Sequence, residues 1–387
     1  MYQPSQYNYF VPYRGKIIYY NSLRRSSFAM TTAEHQKIRK LFEDPISFSL
    51  EYPSVFKQFY QWGFFVDAYT NEASLFRYQY NKDVVFNSRY HLVLVSTPQQ
   101  EFSTANIELI VKHIKQVLDL KEISALCVEW RGRNVLNGFK TFIYPLYNRA
   151  KKLCEKQSVD FSGQIEINLS NNETIHNKLY HNKGVPTYEQ TLQAVRYVHR
   201  QFPCFRLRVR VNAFSFGVAA RENFLNQFDD DARKRIHWVW EPQEMWQGVA
   251  EKTNNVAFYR KCLNEGCEEF NPEQTYALLA PRKNVAVICP DRNVYMMSVH
   301  LDFTQETPAE GTLSETDGTI HWEEAAREKR LSQLWFGLKE CTDCRHLPLF
   351  AGVCPLLFIK AGQICPIDNH LIEPETMIVK EFESKQT

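Results

Sequence analysis

The chain has 387 residues, enough for two or three domains that each bury a core. Hydrophobic residues make up 44% and charged residues 23%, and the formal net charge is only +2, so no global charge argument supports nucleic acid or an anionic membrane as partner. No apolar run approaches the ~18–20 residues that span a bilayer, and the opening MYQPSQYNYF lacks the basic-then-apolar pattern of a signal peptide, so the expected location is cytoplasmic.

In chain order, YNYFVPY and KIIYYN read as short strands, rich in aromatic and β-branched residues and parted by an Arg-Gly break. SSFAM, Ser26–Met30, reads as a third strand. TTAEHQKIRKLF opens with Thr ahead of a helical pattern and has Glu34 soon after, which predicts a capped helix. YPSVFKQFYQWGFFVD predicts a helix ending near Gly63 and then a strand, and the polar stretch TNEASLFRYQYNKD separates this unit from the next one. The unit resembles a small winged-helix module.

From residue 90 strands and helices alternate. The predicted strands are YHLVLVS, ISALCVEW, SGQIEINLS, FRLRVRVNAF and IHWVWEPQ. Between them lie helical patterns such as TANIELIVKHIKQVLDL, TYEQTLQAVRYVHRQF and RENFLNQFDDDARKR. This alternation predicts parallel β/α units in an open or partial barrel, whose chemistry sits at the C-terminal strand ends. After about residue 272 the repeat stops. NVAVICPDRNVYMMSVHLDF predicts a hairpin turning near Pro290–Asn293, residues 304–319 a loose polar loop, and WEEAAREKRLSQLWF a helix leading into CTDCRHLPLFAGVCP.

Of ten cysteines, Cys127, Cys154, Cys204, Cys262, Cys267 and Cys289 are scattered singly and read as packing residues. Cys341, Cys344, Cys354 and Cys365 cluster, and in a reducing compartment such a cluster suggests metal ligands. Three tryptophans, Trp238, Trp240 and Trp246, lie near Glu241 and Glu244; they read as packed strand residues, with a peptide-binding floor as the functional alternative. Arg206, Arg208 and Arg210 fall on one strand face, read as a solvent- or helix-facing ion-pair ladder or as a basic lining for an acidic partner. His113, His199 and His237 are singletons, and the DDDARKR run reads as a capped, solvated helix.

Taken together, the order resembles a radical S-adenosylmethionine enzyme of the peptide-modifying SPASM kind. The residues carrying the likeness are YFVPYRGKIIYYNSL, TIHNKLYHNKGVPTYEQTLQAVRYV, CPDRNVYMMSV and CTDCRHLPLFAGVCP, and the likeness covers nearly the whole chain. It implies an α/β fold: a partial (β/α)6 TIM-type barrel over 86–271, a winged-helix-like, leader-binding module over 1–85, and a SPASM-like extension over 272–387.

The same likeness shows what is missing. In the family a cysteine-bearing loop after the first barrel strand holds the catalytic 4Fe–4S cluster, and thiolates are what such clusters need. Here no cysteine occurs from Tyr90 through Leu126. The family's Gly-Gly-Glu-Pro turn after the second strand holds the cofactor's amino group. The matching positions here are Arg131, Gly132, Arg133 and Asn134, so Arg133 puts a cation where an acceptor belongs. Arg210 matches a position that helps hold the cofactor in some members, and is otherwise read as a barrel-interior ion-pair or surface residue. In the C-terminal motif Phe350 replaces one cysteine, Met297 stands where the hairpin would supply another, and Cys289 falls where an acidic residue usually sits.

The resemblance therefore implies a non-catalytic, degenerate member without S-adenosylmethionine or a 4Fe–4S cluster, acting through a precursor or leader peptide or an active radical maturase partner. No cofactor is expected unless zinc sits on Cys341, Cys344, Cys354 and Cys365; the cluster reads as a metal-free remnant, a zinc site or a residual iron–sulfur site. His346 is a possible substitute ligand or an exposed loop histidine. The peptide is expected to add as a strand along Ser26, Ser27, Phe28, Ala29 and Met30, the alternative being that these strands buttress the barrel.

Overall fold

The computed structural model describes residues 1–80, 82, 88–96, 100–132, 135–136, 138–180, 186–214, 217–242, 284–296, 309–327, 344–350 and 374–386. The chain divides into two compact units, one of residues 1–83, 272–277 and 335–387, the other of 84–271 and 278–334. This partition cuts across the segment 272–387, which the sequence pattern groups together.

In the first unit β1 (Tyr2–Pro4) runs antiparallel to a strand at Phe65–Asp67. β2 (Asn8–Tyr13), β3 (Lys16–Asn21) and β4 (Ser26–Thr31) form an antiparallel sheet in that order. Arg14 and Gly15 both have positive φ, 45° and 75°, the backbone a tight hairpin turn needs to follow the strand twist. α1 (Thr32–Glu43) starts as the sequence predicts, with Thr31 and Glu34 exchanging side-chain and backbone hydrogen bonds. α2 (Pro45–Glu51) and α3 (Pro53–Gln61) come next, each opened by a proline whose missing N–H costs nothing there. The helices and sheet share an aromatic core of Tyr19, Phe42, Phe48, Phe56, Phe59, Phe64 and Phe65. The polar stretch read as a separator is instead α4 (Glu72–Tyr80); its first residue is buried and accepts bonds from the Ser5 hydroxyl (2.6 Å) and the Gln6 amide (2.9 Å). A C-terminal helix, Pro374–Ser384, packs against β2 and β3.

The strand at Phe65–Asp67 is β5. The second unit holds β6 (Arg89–Ser96), β7 (Ala125–Gly132), β8 (Asp160–Ser170), β9 (Phe205–Ala213) and β10 (His237–Pro242), all parallel and adjacent in sequence order. The connecting helices are α5 (Thr104–Asp119), α6 (Tyr144–Gln157), α7 (Glu173–Tyr180), α8 (Tyr188–Gln201), α9 (Val218–Leu225) and α10 (Asp230–Arg235). The single helix predicted over RENFLNQFDDDARKR is thus two, because Asp229 caps a new helix by accepting from the Ala232 amide.

Two further differences arise from register. β11 (Val285–Ile288) does turn into β12 (Asn293–Tyr295) near Pro290, but it also pairs parallel with β6, as a sixth parallel strand beside the first one. Part of the expected polar loop is β13 (Gly311–Leu313), which pairs with β12 and with β14 (Ile320–Trp322). The result is a nine-stranded sheet, ordered β10-β9-β8-β7-β6-β11-β12-β13-β14. One face carries the main core, with Leu92, Leu126, Val128, Trp130, Ile165 and Val209 packed against the helices. Each such fully buried aliphatic contributes about 1.5–3 kcal/mol.

Candidate functional site

Side chains alternate across a strand, so the residues between these core positions point to the other face. In-register pairing places them side by side. His91 comes from β6; Cys127, Glu129 and Arg131 from β7; Glu166, Asn168 and Ser170 from β8; Arg208, Arg210 and Asn212 from β9; and His237 from β10. On β7, β8 and β9 this face is polar and charged, and much of it is buried, whereas on β6 and β11 Val93, Val95 and Val287 continue it as a buried apolar cluster.

Glu129, 1% exposed, sits at its centre. Its carboxylate accepts from Arg131 Nε at 2.5 Å and bonds His91 Nε2 at 3.0 Å. Glu166 is shared by three guanidinium groups: Arg210 Nη2 at 3.1 Å, Arg208 Nε at 3.5 Å and Arg131 Nε at 3.9 Å. Burial would raise both carboxyl groups, but the neighbouring arginines hold them well below the ordinary carboxylate range. Burial would also lower His91; the Cys127 thiol and the Glu129 carboxylate outweigh it and lift the imidazole to about 9. Buried charge of this kind persists only where it is paired.

The face changes along the strands. At the N-terminal end His91, Cys127 and Ser162 are half-buried and Arg206 is exposed. In the middle Glu129, Glu166 and Arg208 are buried. Towards the C-terminal end Asn168 Oδ1, Ser170 Oγ and Asn212 Oδ1 are buried without a hydrogen-bond partner among the described residues. Ser170 and Asn212 are directly paired across β8 and β9. An orphaned buried acceptor costs about 1–3 kcal/mol, so this rim is open to a ligand that brings N–H or O–H donors.

The turn singled out from the sequence begins on this face. Arg131 is held by Glu129, and Gly132, at φ 140°, ends β7 where a Cβ would lie 2.8 Å from the Ser96 carbonyl oxygen of β6. Arg133 and Asn134 lie outside the described residues. So do Cys341, Cys354, Cys365 and Met297, and with them any test of the four-thiolate cluster. Cys344 is half-buried in a turn, and His346 Nδ1 shares a hydrogen bond with the Tyr9 hydroxyl at 2.9 Å. No group of three or more metal-ligating side chains occurs among the described residues. Ser26, Ser27, Phe28, Ala29 and Met30 form β4, an edge strand whose ladder partner is β3. All five are half-buried, and Phe28 stacks on Tyr19.

Arg208 and Arg210 do form the ion pairs the sequence suggested, but with Glu166 on the polar face of the sheet rather than towards a helix or solvent, while Arg206 is exposed. Trp238 and Trp240 lie on the helix side against Phe224, as core residues, whereas Trp246, Glu244 and the side chain of Glu241 lie outside the described residues. Sequence reasoning does not single out His91, Glu129 or Glu166, and it reads Cys127 as a packing residue. Their signal is present as a polar or charged residue at every second position in CVEWR and QIEIN, but what they meet depends on register between strands far apart in sequence.

No protein-family model matches the chain, and no curated protein matches it in sequence. Among solved structures it is similar to anSMEcpe with bound AdoMet and the Cp18Cys peptide, at 12% identity and a TM-score of 0.42, covering 68% of this chain and 89% of that one. It is also similar to Streptococcus suis SuiB bound to S-adenosylmethionine, at 12% identity and a TM-score of 0.37, covering 94% and 97%. A third is BtrN in complex with AdoMet and 2-DOIA, at 11% identity and a TM-score of 0.32, covering 66% and 92%. No helix among the described residues is long and apolar enough to cross a membrane.

Proposed function

We propose that this chain is a non-catalytic relative of the radical S-adenosylmethionine/SPASM enzymes that acts by binding, holding a precursor peptide or an active maturase in a peptide-modification system. The observation carrying this reading is the chemistry of the turn after β7. It opens on Arg131, a buried cation already bonded to Glu129, and its third position is Arg133, where the resemblance calls for an acceptor for the cofactor's ammonium group. The stretch from Tyr90 through Leu126 also offers no thiolate for a cluster. Two parts of one cofactor site are replaced in this reading, while the side-chain oxygens of Asn168, Ser170 and Asn212, without a partner among the described residues, can accept from the N–H groups of a peptide.

The peptide's entry in this reading is the free edge of β4, where main-chain bonds give affinity and alternate side chains give specificity. The barrel and winged-helix descriptions, and a SPASM-like role for the C-terminal segment, belong to the same proposal. The alternative is a zinc-holding enzyme or scaffold, which rests on the spacing of Cys341, Cys344, Cys354 and Cys365. Affinity capture of the full chain from its native cells, read by mass spectrometry with metal analysis of the same sample, tests these readings. The expected result is a colourless protein that enriches a short precursor peptide or a radical enzyme, with the peptide protecting the Ser26–Met30 amides from hydrogen exchange. A brown, S-adenosylmethionine-cleaving preparation would overturn the non-catalytic reading, and stoichiometric zinc without peptide or maturase would favour the alternative.

A further inference from the structure

The half-buried end of the polar face carries a cluster that the binding role does not use. His91 on β6 and Cys127 on β7 are directly paired in register. Ser162 on β8 is in turn paired in register with Cys127, so the thiol lies between the His91 imidazole and the Ser162 hydroxyl on one face of the sheet. His91 is in turn held by Glu129 through Nε2 at 3.0 Å. A sulfur nucleophile beside an imidazole, with a carboxylate orienting that imidazole, is the arrangement that activates a thiol. The cluster lies at the N-terminal strand ends, away from the orphaned acceptors, and neither Cys127 nor the His91 side chain, 16% exposed, is sealed from solvent.

From this geometry we infer that Cys127 is a reactive thiolate and a covalent modification site for small disulfides, activated by His91 and positioned through Glu129. In the exchange the Cys127 sulfur bonds one sulfur of the disulfide, the disulfide bond breaks, and the other sulfur leaves as a thiolate; no further oxidant is consumed. Burial opposes ionisation of Cys127, yet the His91 hydrogen bond and charge bring the thiol below its ordinary value. The charged groups on this face among the described residues are Arg89 and His91 from β6, Glu129 and Arg131 from β7, Asp160 and Glu166 from β8, Arg206, Arg208 and Arg210 from β9 and His237 from β10. The cationic majority suits an anionic disulfide. Cys154 and Cys289 are the internal contrast: both are buried, and burial raises both thiols, Cys154 to about 11.

The test uses the full chain and dithiobis(nitrobenzoate), a dianionic aryl disulfide, with peptide mapping of the labelled cysteines. An ordinary thiol loses thiolate by about two orders of magnitude between about pH 8 and pH 6. Cys127 should label well ahead of Cys154 and Cys289 and lose clearly less than an ordinary thiol over that range. His91→Gln should remove the reactivity near pH 6 by at least about tenfold while exposed Cys204 labels at its wild-type rate. If that variant does not fold, the wild-type pH profile decides alone. Labelling of Cys127 no faster than Cys289, or a profile matching an ordinary free thiol, overturns the proposal, as does a folded His91→Gln protein with unchanged reactivity.

Discussion

We predict that Glu129→Gln costs the second unit about 3–5 kcal/mol of stability, the penalty for breaking a buried ion pair by removing one partner. The carboxylate is 1% exposed and serves Arg131 Nε at 2.5 Å and His91 Nε2 at 3.0 Å. Without it the other carboxylate beside Arg131 among the described residues is Glu166, at 3.9 Å and already shared with Arg208 and Arg210. The sign with pH is fixed. A carboxyl held below its unfolded value stabilises fully above that value, near 4.5, and loses this contribution as pH falls through the folded value. The deficit of Glu129→Gln should therefore be largest near neutrality and shrink on acidification below about pH 4.5. Hydrogen exchange by mass spectrometry reads it locally, from peptides covering β7 and β8, with peptides from β2 to β4 as the control in the other unit. The double variant Glu129→Leu/Arg131→Met should recover most of the loss, because replacing a buried pair with apolar residues of similar volume is often neutral or stabilising. A deficit under about 1 kcal/mol, or one equally large at neutral and acid pH, would show that the pair does not carry this energy.

Two further predictions concern the packing behind this face. Gly163→Ala should cost about 1–3 kcal/mol by overpacking, since a Cβ there would lie 2.6 Å from the Tyr147 ring and 3.3 Å from Trp130; thermal unfolding of the variant checks it, and a wild-type midpoint would count against the packing described. His113 shares hydrogen bonds with the Tyr90 hydroxyl (2.8 Å) and the Gly318 carbonyl (3.1 Å), and burial pushes it down to about 4. Its neutral form stabilises fully above the unfolded value near 6.5, and about 3 kcal/mol should be lost as pH falls from there to about 4, so a stability–pH curve for His113→Gln should be flatter over that window than wild type.

What the sequence made legible was local. The Thr31–Glu34 cap, the Arg-Gly turn and the strand–helix alternation each depend on residues within a few positions of one another, and each appears in the structure. What it left illegible was set by register and by pairing across long separations. The segment Val285–Ile288 carries no mark saying that it will lie parallel to β6, far earlier in the chain, and Arg208 carries none saying that its partner is Glu166. Alternation told which residues of β9 share a face, but not whether that face meets helices or other charges. The candidate site was legible mainly through the resemblance: the absence of cysteine from Tyr90 through Leu126 and the identity of Arg133 are sequence facts, and reading them as a loss belongs to the proposal. The ion-pair lattice around Arg131, at the start of the same turn, is a tertiary one.

That lattice bears on why the face exists. If stability alone shaped it, apolar residues would serve as well or better, since desolvating Arg131, Arg208, Arg210, His91, Glu129 and Glu166 is expensive even when they pair. The opposite face of the same strands shows the apolar solution, with Trp130, Ile165 and Val209 filling the space against the helices. A polar interior between two differently equipped ends therefore points to use. The C-terminal end carries the Asn168, Ser170 and Asn212 side-chain oxygens without a partner among the described residues, and the N-terminal end holds a thiol beside an imidazole. Glu129 and Arg131 belong to both halves: Glu129 orients His91, while Arg131 opens the turn to which the resemblance assigns the cofactor's amino group. Arg131 is thus an integral part of the charge lattice. Placing the family's glycine there, to rebuild the turn, would take from Glu129 its nearest guanidinium and leave both buried carboxylates to Arg208, Arg210 and His91. A glycine at this position would therefore unbalance the lattice, whatever else it did to the turn.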